Sequence, residues 1–330
     1  MPPSTASLDL PPFRQRFPWW GGDLQTLANR LRPVRTDLAP HRSERLALPL
    51  NDGTGDTLLA MLDRSAQPRA GRPLAILVHG LTGAEDSLYV LSMARRLLDG
   101  GHTVLRLNLR GAGPSRAICG GHYYAGRSQD FRSLLAVLPA ELSKDGIVAV
   151  GFSLGGAMLL KYLGEEGASA PLVAAASVSA PIDLSATCDR MMRPRNALYH
   201  RFLLRQMKSE ATGEGAVLSA AERAAILGSS TIWDYDEVFI APRHGFAGAE
   251  DYYERCKPVR FMSAIRIPTL VLAAMDDPWI PGALYGGYDW TANKALQRLL
   301  PEGGGHVGFH GQGSAEPWSD MVVARFFDGG

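Results

Sequence analysis

Apolar residues in this chain follow two rhythms. Ile147-Val148-Ala149-Val150 is a short unbroken apolar run, the pattern of a strand buried on both faces. Ala157, Met158, Leu159, Leu160, Tyr162 and Leu163 then recur at the spacing of a buried helix. The same alternation runs through much of the chain. Leu74-Val78 reads as a strand and Leu88-Leu98 as a helix; strand Thr103-Leu107 and helix Phe131-Leu138 follow, then strand Ile147-Val150, helix Gly156-Leu163 and strand Leu172-Val178. Strands and helices in strict succession predict a mostly parallel sheet covered by helices on both faces. Upstream, Ser43-Pro49 and Asp56-Asp63 flank "NDGTG", which reads as a β-hairpin.

The rhythm breaks between Ala180 and Pro268, where Met191, Met192, Leu198, Phe202, Leu203 and Met207 fall at helical spacing before the run "STIWDYDEVF". It returns with strand Thr269-Ala273, a strand around Lys294-Leu299 and a closing helix Trp318-Phe327. The break therefore reads as a helical cap inserted into one α/β domain. The division is residues 1–42 for an N-terminal arm and short helix, 43–181 and 267–330 for the two parts of the core, and 182–266 for the cap. Met1-Pro18 is proline-rich and reads as an irregular surface arm. In "WWGGDLQTLANRLRP", Asp23 is positioned to cap a helix with Leu24, Leu27 and Leu31 on one face. With Trp19, Trp20, Arg30 and Arg32 beside it, this helix suits packing on the domain better than lying on a membrane, because its basic face is weak.

Between strand Ile147-Val150 and its following helix lies "GFSLGG", so Ser153 must sit on a very sharp turn. The G-x-S-x-G pattern in that context is the nucleophile elbow, which lifts a serine oxygen above the sheet edge. A serine hydroxyl needs an oriented base to accept its proton. Eight histidines are available, and position selects His306 in "GGGHVGF", after the last strand and before the closing helix. The acid belongs at the end of the preceding strand, where "PTLVLAAMDDPWIP" offers Asp276 and Asp277. Spacing to Pro281 favours Asp277, leaving Asp276 to shape the turn. The amides of Leu154, just after the serine, and of Leu81, in "ILVHGLTG", are the expected oxyanion donors. Met191, Met192, Leu198, Phe202 and Met207 are the candidate acyl-binding residues, with gluing of the cap to the core as the alternative.

Composition narrows the classes. The 330 residues are 46% hydrophobic and 20% charged, with a net charge of +1, so no overall field draws nucleic acid or an anionic membrane. Cys119, Cys188 and Cys256 lie far apart without C-x-x-C, which suits reduced thiols rather than disulfides or a zinc site. The start, MPPSTASLDLPPF, has neither the basic nor the apolar stretch of a signal peptide, and no apolar run could span a bilayer. The expectation is a cytoplasmic protein with a small-molecule partner; transient membrane-surface contact and oligomeric state stay open. There is no H-E-x-x-H, no P-loop and no H-x-x-x-x-D acyltransferase signature. "RGAGPS" lacks the third glycine of a dinucleotide loop, so no cofactor or metal is expected.

The pieces "GGDLQTL", "LVHGLTGAEDS", "LNLRGAG", "GFSLGG", "DYDEVFIAP", "DYYERC", "IPTLVLAAMDDP" and "GGGHVGF" together resemble the α/β-hydrolases of the YheT type, with their EMB8-like and ABHD1/ABHD3 relatives. That resemblance implies an α/β-hydrolase core with a mostly parallel eight-stranded sheet. It also implies carboxylic-ester hydrolysis, on medium-chain acyl esters or phospholipids in some members, with Ser153, Asp277 and His306 at the triad positions. The expected activity is thus a serine carboxylic-ester hydrolase without a cofactor. Thioester hydrolysis or acyl transfer to an alcohol would use the same acyl-enzyme. A binding protein that keeps the fold but not the turnover is the alternative from another class.

Overall fold

The computed structural model describes residues 12–31 and 36–329. The expected arm over Met1-Pro18 therefore lies outside the described residues as far as residue 11, as does Arg32. Eight strands form one sheet in the order β1-β2-β4-β3-β5-β6-β7-β8. They are β1 Arg42–Pro49, β2 Thr57–Arg64, β3 Leu74–Val78, β4 Val104–Leu107, β5 Ile147–Phe152, β6 Ala174–Val178, β7 Thr269–Leu272 and β8 Leu296–Leu299. The first hairpin pairs antiparallel with Pro49 opposite Thr57, and β2 meets β4 antiparallel; every other neighbour is parallel.

The main helices are α1 Gly21–Leu31, α2 Leu88–Asp99, α3 Ser128–Val137, α4 Leu154–Glu166, α5 Leu184–Met192, α6 Ala197–Thr212, α7 Ala220–Gly228, α8 Ala249–Cys256 and α9 Trp318–Phe327. The two-residue period of the strands divides the core between the faces of the sheet. Ala75, Leu77, Val148 and Val150 pack with Met93 and Leu97 of α2 and with Val322 and Val323 of α9. Ile76, Val78 and Ala149 face the other way, against Leu134 of α3 and Met158, Leu159 and Tyr162 of α4. This two-sided cover explains why β3 and β5 are apolar throughout. Helix α4 is buried on every face from Leu154 to Leu163, which is why its apolar residues form no single stripe.

Helices α5 to α8 fill the span between β6 and β7. Inside it, "DYDEVF" and "DYYERC" meet: the Tyr253 hydroxyl donates to buried Asp236 at 2.6 Å. That bond ties the two motifs together inside the insertion, and burial pushes the Asp236 carboxyl up to about 7. "LNLRGAG" also has a structural role. Arg110 is fully buried, and its guanidinium donates to Asp130 at 2.7 Å and Asp52 at 2.6 Å, with Asp56 beside them.

One expectation fails. Asp23 does not cap α1 but sits in its first turn, and the helix does not bury its leucines. Gln25, Ala28 and Asn29 face the protein, while Leu24, Leu27 and Leu31 face outward. The reason lies in what α1 packs against, a loop of exposed backbone polar groups that apolar side chains could not satisfy.

Candidate active site

Four loops converge at the carboxyl ends of the parallel strands, where open α/β sheets place their ligands. They follow β3, β5, β7 and β8 and carry Leu81, Ser153, Asp277 and His306 in turn. Ser153 adopts φ +50°, ψ −119°, a conformation that L side chains avoid, with its amide donating to Val178 O at 2.8 Å. The elbow closes because Gly155 lies against the end of β3. A Cβ there would stand 2.4 Å from the His79 carbonyl oxygen.

The three polar side chains form one hydrogen-bonded line. His306 Nε2 is 2.9 Å from Ser153 Oγ, and His306 Nδ1 is 2.8 Å from Asp277 Oδ2. The second oxygen of Asp277 accepts from the amides of Trp279 at 2.8 Å and Ile280 at 3.0 Å. With Oδ1 so occupied, the carboxylate has one orientation in which to meet the imidazole. Trp279 stacks on the other side of that imidazole, centroids 4.3 Å apart. Asp276 points elsewhere: it accepts from Gly305 N at 2.9 Å and from Gln15 at 3.1 Å. Burial raises its carboxyl above the usual range.

The histidine loop is strained, with Val307 at φ +57° and Phe309 at φ +51°. Helix α1 holds it in place. Thr26 Oγ1 accepts from His306 N at 2.9 Å, Asn29 Nδ2 donates to Val307 O at 3.0 Å, and Gln25 Oε1 accepts from His310 N at 2.7 Å. Gly22 lets α1 approach this closely, since a Cβ there would collide with the Asp276 carbonyl at 1.9 Å. These positioning groups were not singled out in the sequence. The only signal is "GGDLQTL", where polar residues occupy the helix positions that an amphipathic reading assigns to solvent.

Opposite the serine, Leu154 is the first residue of α4, so its amide has no acceptor within the helix. The Leu81 loop is fixed from three directions. Tyr89 Oη accepts from Gly80 N at 2.9 Å. His79 Nε2 accepts from Leu109 N at 3.1 Å, which leaves Nδ1 to donate to Gly80 O at 2.7 Å and makes this the neutral tautomer. Burial lowers the His79 pKa to about 4, in keeping with that state. Tyr123 Oη accepts from Thr82 N at 2.8 Å and donates to Glu210 of α6 at 2.7 Å. Burial pushes the Glu210 carboxyl up to about 7. Tyr123 and Glu210 lie 41 and 128 residues from Thr82 in sequence, too far for local pattern to connect them.

A cavity of about 910 Å³ opens above Ser153 and His306, walled by Leu27 and Arg30 of α1 and Leu198, Phe202 and Leu203 of α6. Of the candidate acyl-binding residues, Leu198 and Phe202 line it. Met191, Met192 and Met207 do not. Met191 and Met207 are buried in the core and Met192 packs partly buried against it, which is the gluing role. The wall opposite α6 comes instead from α1. Asp23 bridges α1 to α6 through Tyr199 Oη at 3.0 Å and reaches Arg195, just before α6, at 2.6 Å.

Comparison with known proteins agrees with this architecture. The family profile described as the alpha/beta hydrolase fold matches residues 73–311. YheT of Escherichia coli, which carries a provisional esterase name, is 31% identical over 87% of this chain and 84% of its own. The mouse phospholipase ABHD3 is 27% identical over 88% of this chain and 71% of its own. The yeast medium-chain fatty acid ethyl ester synthase/esterase 2 is 28% identical over 77% of this chain and 62% of its own. Among solved structures, the Pyrococcus furiosus esterase Pf2001 superposes with a TM-score of 0.59 at 14% identity, covering 97% of each chain.

Proposed function

The chain belongs to the α/β-hydrolase family, and from that footing we propose that it is a serine carboxylic-ester hydrolase acting on short- to medium-chain acyl esters. The observation that carries this reading is the line Ser153 Oγ–His306 Nε2–Asp277 at the floor of the cavity. Ser153 Oγ attacks the ester carbonyl carbon while His306 Nε2 takes its proton. The amides of Leu81 and Leu154 donate to the oxyanion that forms. His306 returns the proton to the departing alcohol, leaving an acyl-serine, and water then repeats the sequence to release the acid. Asp277 keeps Nδ1 protonated, so that Nε2 is the basic nitrogen. The relatives' names, esterase and phospholipase among them, agree with ester chemistry. Labelling by a fluorophosphonate tests the proposal directly: Ser153 takes up the label, and a folded protein that resists it is not a serine hydrolase. Acyl transfer to an alcohol is the second reading, favoured by the ester-synthase name of the yeast relative.

Leu27, Leu198 and Phe202 make the cavity wall apolar. We therefore expect kcat/KM to rise from acetate to octanoate esters, since each buried methylene contributes about 0.8 kcal/mol. A flat or falling series of p-nitrophenyl esters would remove the acyl-pocket assignment.

The contact from Tyr123 to Thr82 gives a second expectation. Tyr123→Phe deletes the acceptor of the Thr82 amide and loosens the Leu81 loop without altering the cavity. Leaving the Thr82 amide without an acceptor costs about 1–3 kcal/mol, so kcat falls roughly tenfold while KM stays near the parent value. An equal loss in both Michaelis parameters, or none, would make Tyr123 a structural residue only.

A further inference from the structure

Seven of the thirteen large apolar side chains exposed among the described residues fall on two neighbouring segments, residues 17–31 and α6, and three of them, Leu27, Leu198 and Phe202, line the cavity. Phe17 and Trp20, 72% and 61% exposed, stack edge to face 5.5 Å apart just before α1. Leu24, Leu27 and Leu31 continue as the outward stripe of α1, and Leu198 and Phe202 stand on α6 across the opening. The Asp23 bridge to Arg195 and Tyr199 holds the two helices side by side. A monomer in water rarely leaves so much apolar surface together unless something covers it.

The charges around the patch indicate what covers it. Arg201 and Arg205 are exposed, and they fall three residues from Leu198 and Phe202 respectively, on one face of α6. Neither has an acidic partner among the described residues. Arg30 lies with its guanidinium 4.5 Å over the Phe202 ring. Leucine and aromatic side chains fringed by arginines match the boundary between acyl chains and anionic headgroups. A two-fold contact between copies of this chain would bring like-charged α6 arginines together, which disfavours that occupant.

We infer that α1 and α6 form a docking surface for an anionic phospholipid bilayer, with the cavity mouth facing the lipid. It rests on the esterase reading only for its purpose, which is to let acyl substrates pass from the lipid to Ser153 without crossing water. The net charge of +1 for the whole chain conceals this arrangement, because the arginines matter locally.

The test is flotation of the purified protein, without substrate, on vesicles of phosphatidylcholine alone and of phosphatidylcholine mixed with phosphatidylglycerol. The wild type is expected to float with the mixed vesicles and far less with the neutral ones, and to be released by salt. The triple variant Trp20→Ser/Leu24→Ser/Leu31→Ser is expected to bind at least about tenfold more weakly, with hydrolysis of a water-soluble acetate ester unchanged. Arg201→Glu/Arg205→Glu is expected to lose the preference for anionic vesicles. Wild-type protein that does not float, or a triple variant that floats as well, overturns the inference. So does sedimentation showing a wild-type dimer that the triple variant dissolves, which assigns the patch to a second copy. Binding is read without turnover, so failure of the esterase reading would show separately, as no ester hydrolysis by protein that still floats.

Discussion

Ser153→Ala is expected to lose all measurable ester hydrolysis while folding like the parent. The side chain removed is a single hydroxyl at the cavity floor, with its hydrogen bond to His306 Nε2 and no core volume. The alanine still has to adopt φ near +50°, the strain that the parent already carries, so stability changes little. What remains is the oxyanion site and binding energy, a residual of roughly 10³–10⁴ over the uncatalysed rate. Against a working esterase that residual vanishes in a routine assay. Steady-state rates on a p-nitrophenyl ester, with a thermal melt as the folding control, give the answer. A variant with parental kcat would show that the nucleophile lies elsewhere.

Asp277→Asn is expected to cost on the order of 10⁴ in kcat, whereas Asp276→Asn is expected to cost far less. The two neighbours differ in what they touch. Asp277 Oδ2 faces His306 Nδ1, and its Oδ1 is held by two backbone amides. Because those amides require an acceptor at Oδ1, an asparagine there would turn its NH2 toward the imidazole. That donor favours the tautomer protonated on Nε2, which cannot take the serine proton. Asp276 accepts from Gly305 N and Gln15 at the outer edge of the histidine loop, and an asparagine oxygen can keep the Gly305 bond. The measurement is kcat for both variants near neutral pH, with melts alongside. A folded Asp276→Asn that is the more impaired of the two would reverse the assignment.

Much of the fold was legible because its strands are apolar on both faces and its glycines punctuate them. β3 was placed to the residue, and β5 and β8 within two residues at either end, since an unbroken apolar run bounded by turn signals has few other uses. Ser153, His306 and Asp277, which the structure brings into one hydrogen-bonded line, are legible as candidates from chain order and local pattern, each being tied to the end of one strand. The apolar stripe of α1 misleads for a physical reason. An apolar stripe predicts burial only when the surface beneath is apolar, and beneath α1 lie the backbone groups of residues 306–310. The methionines of α5 and α6 were legible as apolar, but period alone does not say whether a buried face meets core or cavity. Trp279, Tyr123 and Glu210 were not legible at all. Their partners are reached through tertiary contacts that leave no local signature.

The clamp of α1 on the histidine loop also sets an order of assembly. Thr26 and His306 are 280 residues apart, and Gln25 and His310 are 285 apart. At a synthesis rate of about 5–20 residues per second, α1 leaves the ribosome roughly a quarter to one minute before the loop that it must hold. During that interval β1 to β6, the elbow and the Leu81 loop are made, so the nascent chain carries Ser153 before His306 exists to stand beside it. In the proposed mechanism, hydrolytic competence then comes from one late, long-range closure, the docking of residues 303–310 onto a helix made some 280 residues earlier.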